Sequence, residues 1–182
     1  LSLFFLSLIL YYFCSIIQNR EKMNQQKSPL VSVLVLNYNG KRFLDDCFCS
    51  LLKSTYSNFE IIMIDNKSTD DSVAYTEEKY PEVESVQNGV NGGFSLAYNN
   101  AFKFAKGKYF VVLNNDVSVD KAWIEPLVEE AEKDENIGAL QPKLVSMLEP
   151  EKFEYAGASG GFMDKYGSPF TRGRMFDTIE ED

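Results

Sequence analysis

The sequence predicts an α/β fold, a mainly parallel sheet with helices on both faces. From residue 30 onward, aliphatic runs alternate with segments of helical periodicity in the order βαβαβαβ. That order implies right-handed crossovers between parallel strands. The first two runs, Leu30-Val-Ser-Val-Leu-Val-Leu36 and Phe59-Glu-Ile-Ile-Met-Ile64, are nearly continuous aliphatic, as strands covered on both faces must be. Each run stops on polar residues, so Tyr38, Asp65, the Asn91 loop and Asp116 are expected along one edge of the sheet. Open α/β sheets bind ligands at their carboxyl edge.

Taken in order, residues 1–17 are uncharged and strongly apolar, and the chain turns polar at Gln18-Asn-Arg-Glu-Lys22. The run is short for a spanning helix, which needs roughly 20 apolar residues. It also lacks the basic leader and small-residue cleavage site of a signal peptide. Met23 opens a segment of soluble character, so residues 1–22 are expected to be an over-extended reading frame, with a short membrane anchor as the alternative. Residues 1–27 are set apart from the fold.

The strand over 30–36 ends at Asn37-Tyr38-Asn39-Gly40, with Asn39 the expected N-cap of the helix that follows. In that helix Phe43, Leu44, Cys47, Leu51 and Leu52 recur at helical spacing. The strand over 59–64 ends at Asp65-Asn-Lys-Ser-Thr-Asp70, and a helix over 70–80 is stopped by Pro81. A weaker strand covers 83–87. Asn88-Gly-Val-Asn-Gly-Gly93 is a glycine-rich loop, followed by a helix over 94–105 closed by Gly107. A fourth strand is expected over 108–113. The next helix starts near Glu125 with Pro126 in its first turn. Residues 137–145 read as a fifth strand, weakened by Pro142. After Pro150 the periodicity fades into a loop-rich region with aromatics.

Composition narrows the chemistry. The 182 residues carry 27 acidic and 18 basic side chains, a net charge of −9, which disfavours nucleic acid as a partner. There is no histidine, which removes Ser-His-Asp and Cys-His catalysis and most zinc sites. Cys14, Cys47 and Cys49 form no C-x-x-C pair and are expected to be free thiols, buried, in a reducing compartment.

The strand ends remain. Asp116, with Asn114 and Asn115 before it, closes the run Lys108-Tyr-Phe-Val-Val-Leu113. One carboxylate holds a hard divalent cation only if the ligand adds phosphate oxygens. A turn explains Asn and Asp at a strand end equally well. Asp65 reads as a helix cap or, if Ser68 or Asp70 takes the capping, as a free acceptor for a base imide. Tyr38 is a core or surface tyrosine, or a ring on which a flat base stacks. The glycine-rich loop could bring backbone amides to a phosphate, but it is neither G-x-G-x-x-G in a first βα turn nor a P-loop.

Four segments together are more specific than any one. Val33-Leu-Val-Leu-Asn-Tyr-Asn-Gly40, Ile62-Met-Ile-Asp-Asn-Lys-Ser-Thr-Asp-Asp-Ser72, Asn91-Gly-Gly-Phe-Ser-Leu-Ala-Tyr-Asn-Asn100 and Leu113-Asn-Asn-Asp-Val117 resemble family 2 glycosyltransferases of the GT-A fold. The N-x-G-F loop and the L-N-x-D run resemble its rhamnosyltransferase-like branch. The resemblance covers about residues 28–182.

It implies a Rossmann-like sheet in which Tyr38 and Asp65 hold the nucleotide base, by stacking and by hydrogen bonding. Asn91 and Gly93 would border the nucleotide and sugar. Asn114-Asn115-Asp116 occupies the D-x-D position, with Asn114 in place of the first aspartate and Asp116 ligating the Mg or Mn that bridges the diphosphate. The nucleotide-sugar set is thus Tyr38, Asp65, Asn91, Gly93, Asn114 and Asn115. The implied reaction is inverting transfer from a nucleoside-diphosphate sugar to a hydroxyl of a glycan or lipid-linked acceptor, in cell-surface polysaccharide synthesis. The implied location is cytoplasmic, with peripheral association at the inner face of the membrane.

Residues 28–150 are then the donor-binding domain and 151–182 the incomplete start of an acceptor-binding region. The fold is expected to be truncated at its C-terminus, with no catalytic residue in this chain and the base beyond Asp182. Thr178-Ile-Glu-Glu-Asp182 reads as a solvated charge run. Two other readings stand beside this one. A non-catalytic nucleotide-sugar-binding module would need no base. A sugar-1-phosphate nucleotidyltransferase would need a glycine- and basic-rich loop after strand one, which Asn37-Tyr-Asn-Gly40 is not.

Overall fold

A computed structural model describes residues 28–150 and, beyond them, Lys165 and four short strands between 161 and 179. The expectations for residues 1–27, and for the acidic run 180–182, lie outside the described residues. The chain divides into two compact units, with the boundary between Val119 and Asp120.

In the first unit β1 (Val31–Asn37), α1 (Lys41–Leu51), β2 (Phe59–Asp65), α2 (Ser72–Lys79), β3 (Val83–Gln87), α3 (Gly93–Ala101) and β4 (Tyr109–Asn114) follow one another. The strands form one parallel sheet in the order β3-β2-β1-β4. Successive crossovers move outward from β1 to β3, and the last returns past β1 to β4. The connections therefore reverse direction between β1 and β4, the position at which open α/β sheets form a ligand crevice. Register places Asn37 beside Asp65 and Leu36 beside Asn114.

Period-two alternation gives each central strand two apolar faces. Leu34, Ile62 and Ile64 pack with Ala97, Tyr98 and Ala101 of α3. Val33, Val35, Ile61 and Met63, also buried, have the opposite parity. On that side the Thr76 hydroxyl of α2 donates to Met63 Sδ at 3.3 Å. Phe48 of α1 meets Tyr80, just past α2, edge to face at 5.1 Å. The expected helices on both faces are present.

The opposite edge of the sheet is clamped by a smaller polar cluster. Ser32 Oγ donates to Glu60 Oε1 at 2.6 Å and accepts from Gly107 N at 2.8 Å, while Lys106 N donates to the same Glu60 oxygen at 2.7 Å. Lys108 N donates to Leu30 O at 2.8 Å, which starts β4 in register beside β1.

Several boundaries differ from the sequence expectation. Gly40, not Asn39, is the N-cap of α1, and no side chain caps it. Asn39 sits in the left-handed region at φ 51°, where a short polar side chain is tolerated. The regular part of α3 stops at Ala101, and residues 102–104 tighten into a 3₁₀ turn. β4 is an edge strand, so it is not buried throughout; Phe110 and Val112 remain 49% and 46% exposed.

In the second unit α4 (Ile124–Ala131) has Pro126 in its first turn as expected. Residues 137–144 form no strand, and Val145 makes only an isolated bridge; Pro142 has no N–H for a ladder. β5 (Gly161–Met163) pairs antiparallel with β6 (Pro169–Thr171), and β7 (Arg174–Met175) with β8 (Thr178–Ile179). No helix among the described residues is long and apolar enough to cross a membrane.

Candidate functional site

The carboxyl edge of the sheet is built on a buried asparagine. Asn37 ends β1 with the inward parity of Val33 and Val35 and is fully buried. A buried amide needs partners for its donors and its oxygen, and the neighbouring strand ends supply them. Asn37 Nδ2 donates to Asp65 Oδ1 at 3.0 Å and to Ser68 Oγ at 3.1 Å. Asn115 Nδ2 donates to Asn37 Oδ1 at 2.7 Å. Three strand ends, those of β4, β1 and β2, are thereby joined through side chains.

Asp65 is the anchor of this relay. It is 2% exposed, and its second oxygen accepts from Ser68 N at 2.9 Å. The sequence left Asp65 free to face a ligand if Asp70 did the capping. The N-cap of α2 is Asp71, with no side-chain cap, and Asp70 before it accepts from Ser72 N at 3.2 Å and from the Ser72 hydroxyl. Each Asp65 oxygen holds one protein donor, which leaves each with a further lone pair.

Around the relay the loops are held by further amides. Asn39 Oδ1 accepts from Thr69 N at 2.7 Å and from Asp70 N at 3.3 Å, and Asn39 N donates to Ser68 Oγ at 2.9 Å. The β2 end is tied to the glycine-rich loop through Asn66. Its Nδ2 donates to Asn91 Oδ1 at 2.7 Å, and its Oδ1 accepts from Asn88 Nδ2 at 3.3 Å. Gly93 N donates to Asn91 Oδ1 at 3.2 Å. Gly93 has φ 77°, a conformation that favours glycine. Two backbone bonds join the networks, Asn66 N to Asn37 O at 2.9 Å and Asn88 N to Asp65 O at 2.8 Å.

The structure thus brings Asp65, Asn91, Gly93 and Asn115 into one hydrogen-bonded edge. Tyr38 follows Asn37 and is 51% exposed. Asn114 and Asp116 flank Asn115 and are exposed; neither belongs to the relay. Beneath them Tyr98 of α3 donates its hydroxyl to Leu113 O at 2.8 Å, and burial raises its pKa. Cys47 of α1 is buried, and its thiol is pushed up to about 12, first by burial and then by the charge of Asp116. Cys49 is exposed, contrary to expectation, and its sulfur lies 3.6 Å from Tyr80 OH.

The residues that sequence reasoning missed are Asn37, Ser68, Asn66 and Gly40. A signal for Asn37 was present, since an amide at the inward parity of an aliphatic strand has to be satisfied by something nearby. Gly40 left no such signal. A β-carbon there would overlap Asn115 Nδ2 and come within 2.8 Å of Asn37 Oδ1, so only glycine leaves room for the relay.

A divalent cation fits this edge in one way. Among the described residues no group of three or more His, Cys, Asp or Glu gathers to cage a metal. Asp116 offers an exposed carboxylate, which suits Mg²⁺ or Mn²⁺ carrying water and phosphate oxygens of its own.

Comparison with known proteins agrees with the fold and the motif order. The profile of glycosyl transferase family 2 matches residues 32–175. An uncharacterized glycosyltransferase of Haemophilus influenzae is 33% identical over 129 residues, 69% of this chain and 40% of that protein. The uncharacterized glycosyltransferase EpsJ of Bacillus subtilis is 37% identical over 110 residues, 59% of this chain and 32% of its own length. O-antigen biosynthesis protein RfbC of Myxococcus xanthus is 33% identical over 161 residues, 86% of this chain and 12% of that protein. The chain therefore spans less than half of these relatives. In fold it is similar to S. aureus TarS, solved in complex with UDP-GlcNAc, with a TM-score of 0.54 and 20% identity over 64% of this chain and 38% of that one. All four strand ends that make the site lie inside the matched span, and the chain belongs to glycosyl transferase family 2.

Proposed function

We propose that residues 28–150 bind a nucleoside-diphosphate sugar, and that the protein they belong to transfers its sugar, with inversion, to a hydroxyl of a glycan or lipid-linked acceptor. The observation that carries this reading is the relay from Asn115 through Asn37 to Asp65. It spends buried polar groups on holding the edge rigid and leaves Tyr38 and Asp116 exposed beside it. Preorganisation of that kind lowers the ordering cost of binding.

In this reading Tyr38 stacks on the base, and Asp65 uses its remaining lone pairs on the base edge. Asn91, Gly93, Asn114 and Asn115 border the nucleotide and the sugar. Asp116 would hold a Mg²⁺ or Mn²⁺ shared with the diphosphate, and that ion, when bound, neutralises charge on the leaving group. Family membership and likeness to a protein of O-antigen biosynthesis support a role in polysaccharide synthesis. The loop at Asn91 and the run Leu113-Asn-Asn-Asp116 favour the rhamnosyltransferase-like branch. No described residue is assigned as the acceptor base.

Thermal melting with UDP, GDP and dTDP, each with and without Mn²⁺, tests the reading. One nucleotide is expected to raise the melting temperature, more strongly with Mn²⁺, and Asp116→Ala to remove the metal-dependent part. A flat response to all three nucleotides would sink it.

A further inference from the structure

The hydrogen bonds from Asn115 to Asp65 run in one direction, and the carboxylate sets that direction. A carboxylate accepts and does not donate. Asp65 Oδ1 therefore meets the NH₂ group of Asn37, at 3.0 Å, and the same NH₂ reaches Ser68 Oγ at 3.1 Å. This turns the Asn37 oxygen to Asn115. A carbonyl oxygen also only accepts, so Asn115 presents its NH₂, at 2.7 Å. The end of Asn115 directed away from the relay is its oxygen. Reversing Asn37 would set oxygen against oxygen at Asp65, and reversing Asn115 would do the same at Asn37, whose amide is fully buried.

Asn91 is held in the opposite sense. A backbone N–H only donates, and Gly93 N meets Asn91 Oδ1 at 3.2 Å, with Asn66 Nδ2 on the same oxygen at 2.7 Å. The Asn91 oxygen is committed inward, and its NH₂ is the end left over. Two asparagines that look alike in the sequence thus face the site with opposite hydrogen-bond character.

We propose that Asn115 Oδ1 accepts a hydrogen bond from a hydroxyl of the bound ligand, and that Asn37 is the positioning residue that commits Asn115 to this role. The proposal rests on the nucleotide-sugar reading above. Such a ligand carries hydroxyls on both its ribose and its hexose. An outward acceptor distinguishes a hydroxyl, which donates, from a phosphate oxygen, which does not; the outward NH₂ of Asn91 suits the latter.

The test compares affinities for UDP or GDP with those for the 2′-deoxy and 3′-deoxy forms, and for a UDP- or GDP-hexose with those for its deoxy-hexose analogues. The wild type is expected to lose about 5- to 10-fold for one missing hydroxyl; a ribose or a hexose analogue identifies its source. Asn115→Ala is expected to bind the parent and that analogue equally. Asn37→Leu is expected to level the pair while keeping the wild-type affinity for the deoxy form, which general loss of structure would not do. If Asn37→Leu does not fold, Asn115→Asp takes its place. It keeps an outward acceptor but cannot donate to Asn37, and it is expected to melt several degrees lower.

Undiminished discrimination in Asn115→Ala, or an Asn115→Asp variant as stable as wild type, overturns the proposal while nucleotide binding stands. If no nucleotide binds the wild type, the nucleotide-sugar reading fails, and the hydroxyl assignment with it. The relay is then read separately, as slowed exchange of the Asn115 side-chain amide protons in ligand-free protein.

Discussion

The amide of Asn115, just past β4, donates to Asn37 Oδ1 at the end of β1 across 2.7 Å. These strands are neighbours only because the last crossover returns past β1, so the bond spans the place where the connections of the sheet reverse. It passes over Gly40, and the room for it depends on a missing side chain.

Gly40 has φ −113° and ψ 19°, a conformation open to alanine. Any cost of Gly40→Ala is therefore steric, and it falls on Asn115 Nδ2 and Asn37 Oδ1, the ends of side chains. Urea denaturation is expected to show a loss of about 1–2 kcal/mol, with the nucleotide-induced thermal shift largely abolished.

Gly107→Ala gives the opposite pattern. Its β-carbon would lie 2.6 Å from Ser32 N and 2.8 Å from Leu30 O, backbone atoms that cannot swing aside. A loss of about 3 kcal/mol or more is expected in the same experiment. Where the variant folds, nucleotide affinity should remain near wild type, because the clash is at the amino edge of the sheet.

Tyr38 is half exposed, so truncating it leaves the core intact. Tyr38→Ala is expected to weaken nucleotide binding roughly 5- to 50-fold by titration calorimetry, with little change in melting temperature. Tyr38→Phe, which keeps the ring, should retain most of the affinity.

Asp45 ties α1 to α2 and to the residue after it. It accepts from Lys79 Nζ at 2.7 Å, Tyr80 OH at 2.6 Å and Tyr75 OH at 2.7 Å. The Lys79 hydrogen bond first, then those of Tyr80 and Tyr75, lower its pKa from 3.8 to about 2. A depressed carboxylate contributes stability above its unfolded pKa and loses it as pH falls through the folded one. The stability gap between wild type and Asp45→Asn should be full above about pH 5 and close as pH falls from 3.8 toward 2. The site is exposed to solvent, so the gap should be small and shrink further in high salt. Equilibrium denaturation across that pH range measures it.

Tyr98→Phe removes the hydroxyl that holds Leu113 O at 2.8 Å while the ring keeps its place among Leu34 and Ile62. A loss of about 1 kcal/mol is expected by denaturation, together with faster hydrogen exchange at the carboxyl end of β4.

Much of the fold was legible because periodicity reports burial. The runs ending at Leu36 and Ile64 are apolar at every inward and outward position except Ser32 and Glu60, and those two are spent on the clamp at Gly107. The 108–113 run looked the same, yet half of it is exposed, since an apolar run does not say whether a strand is central or at an edge. The 137–145 run failed as a strand where Pro142 interrupts it. At the site, Asn39 read as a helix cap because it precedes one, whereas in the fold its oxygen is claimed by Thr69 and Asp70 from the next loop.

The sequence by itself determined the alternation of strands and helices, the parallel sheet, the polar residues that end each strand and the family to which their order belongs. The alternation and the sheet follow from local spacing, and the family from the resemblance of four ordered motifs. Tertiary structure decided what those polar residues do. Asp65 became an anchor, Asn37 the hub, and Asn115 and Asn91 outward groups of opposite character. The reason is that a hydrogen bond needs a donor facing an acceptor, and which asparagine atom faces which partner exists only once β1, β2 and β4 lie side by side.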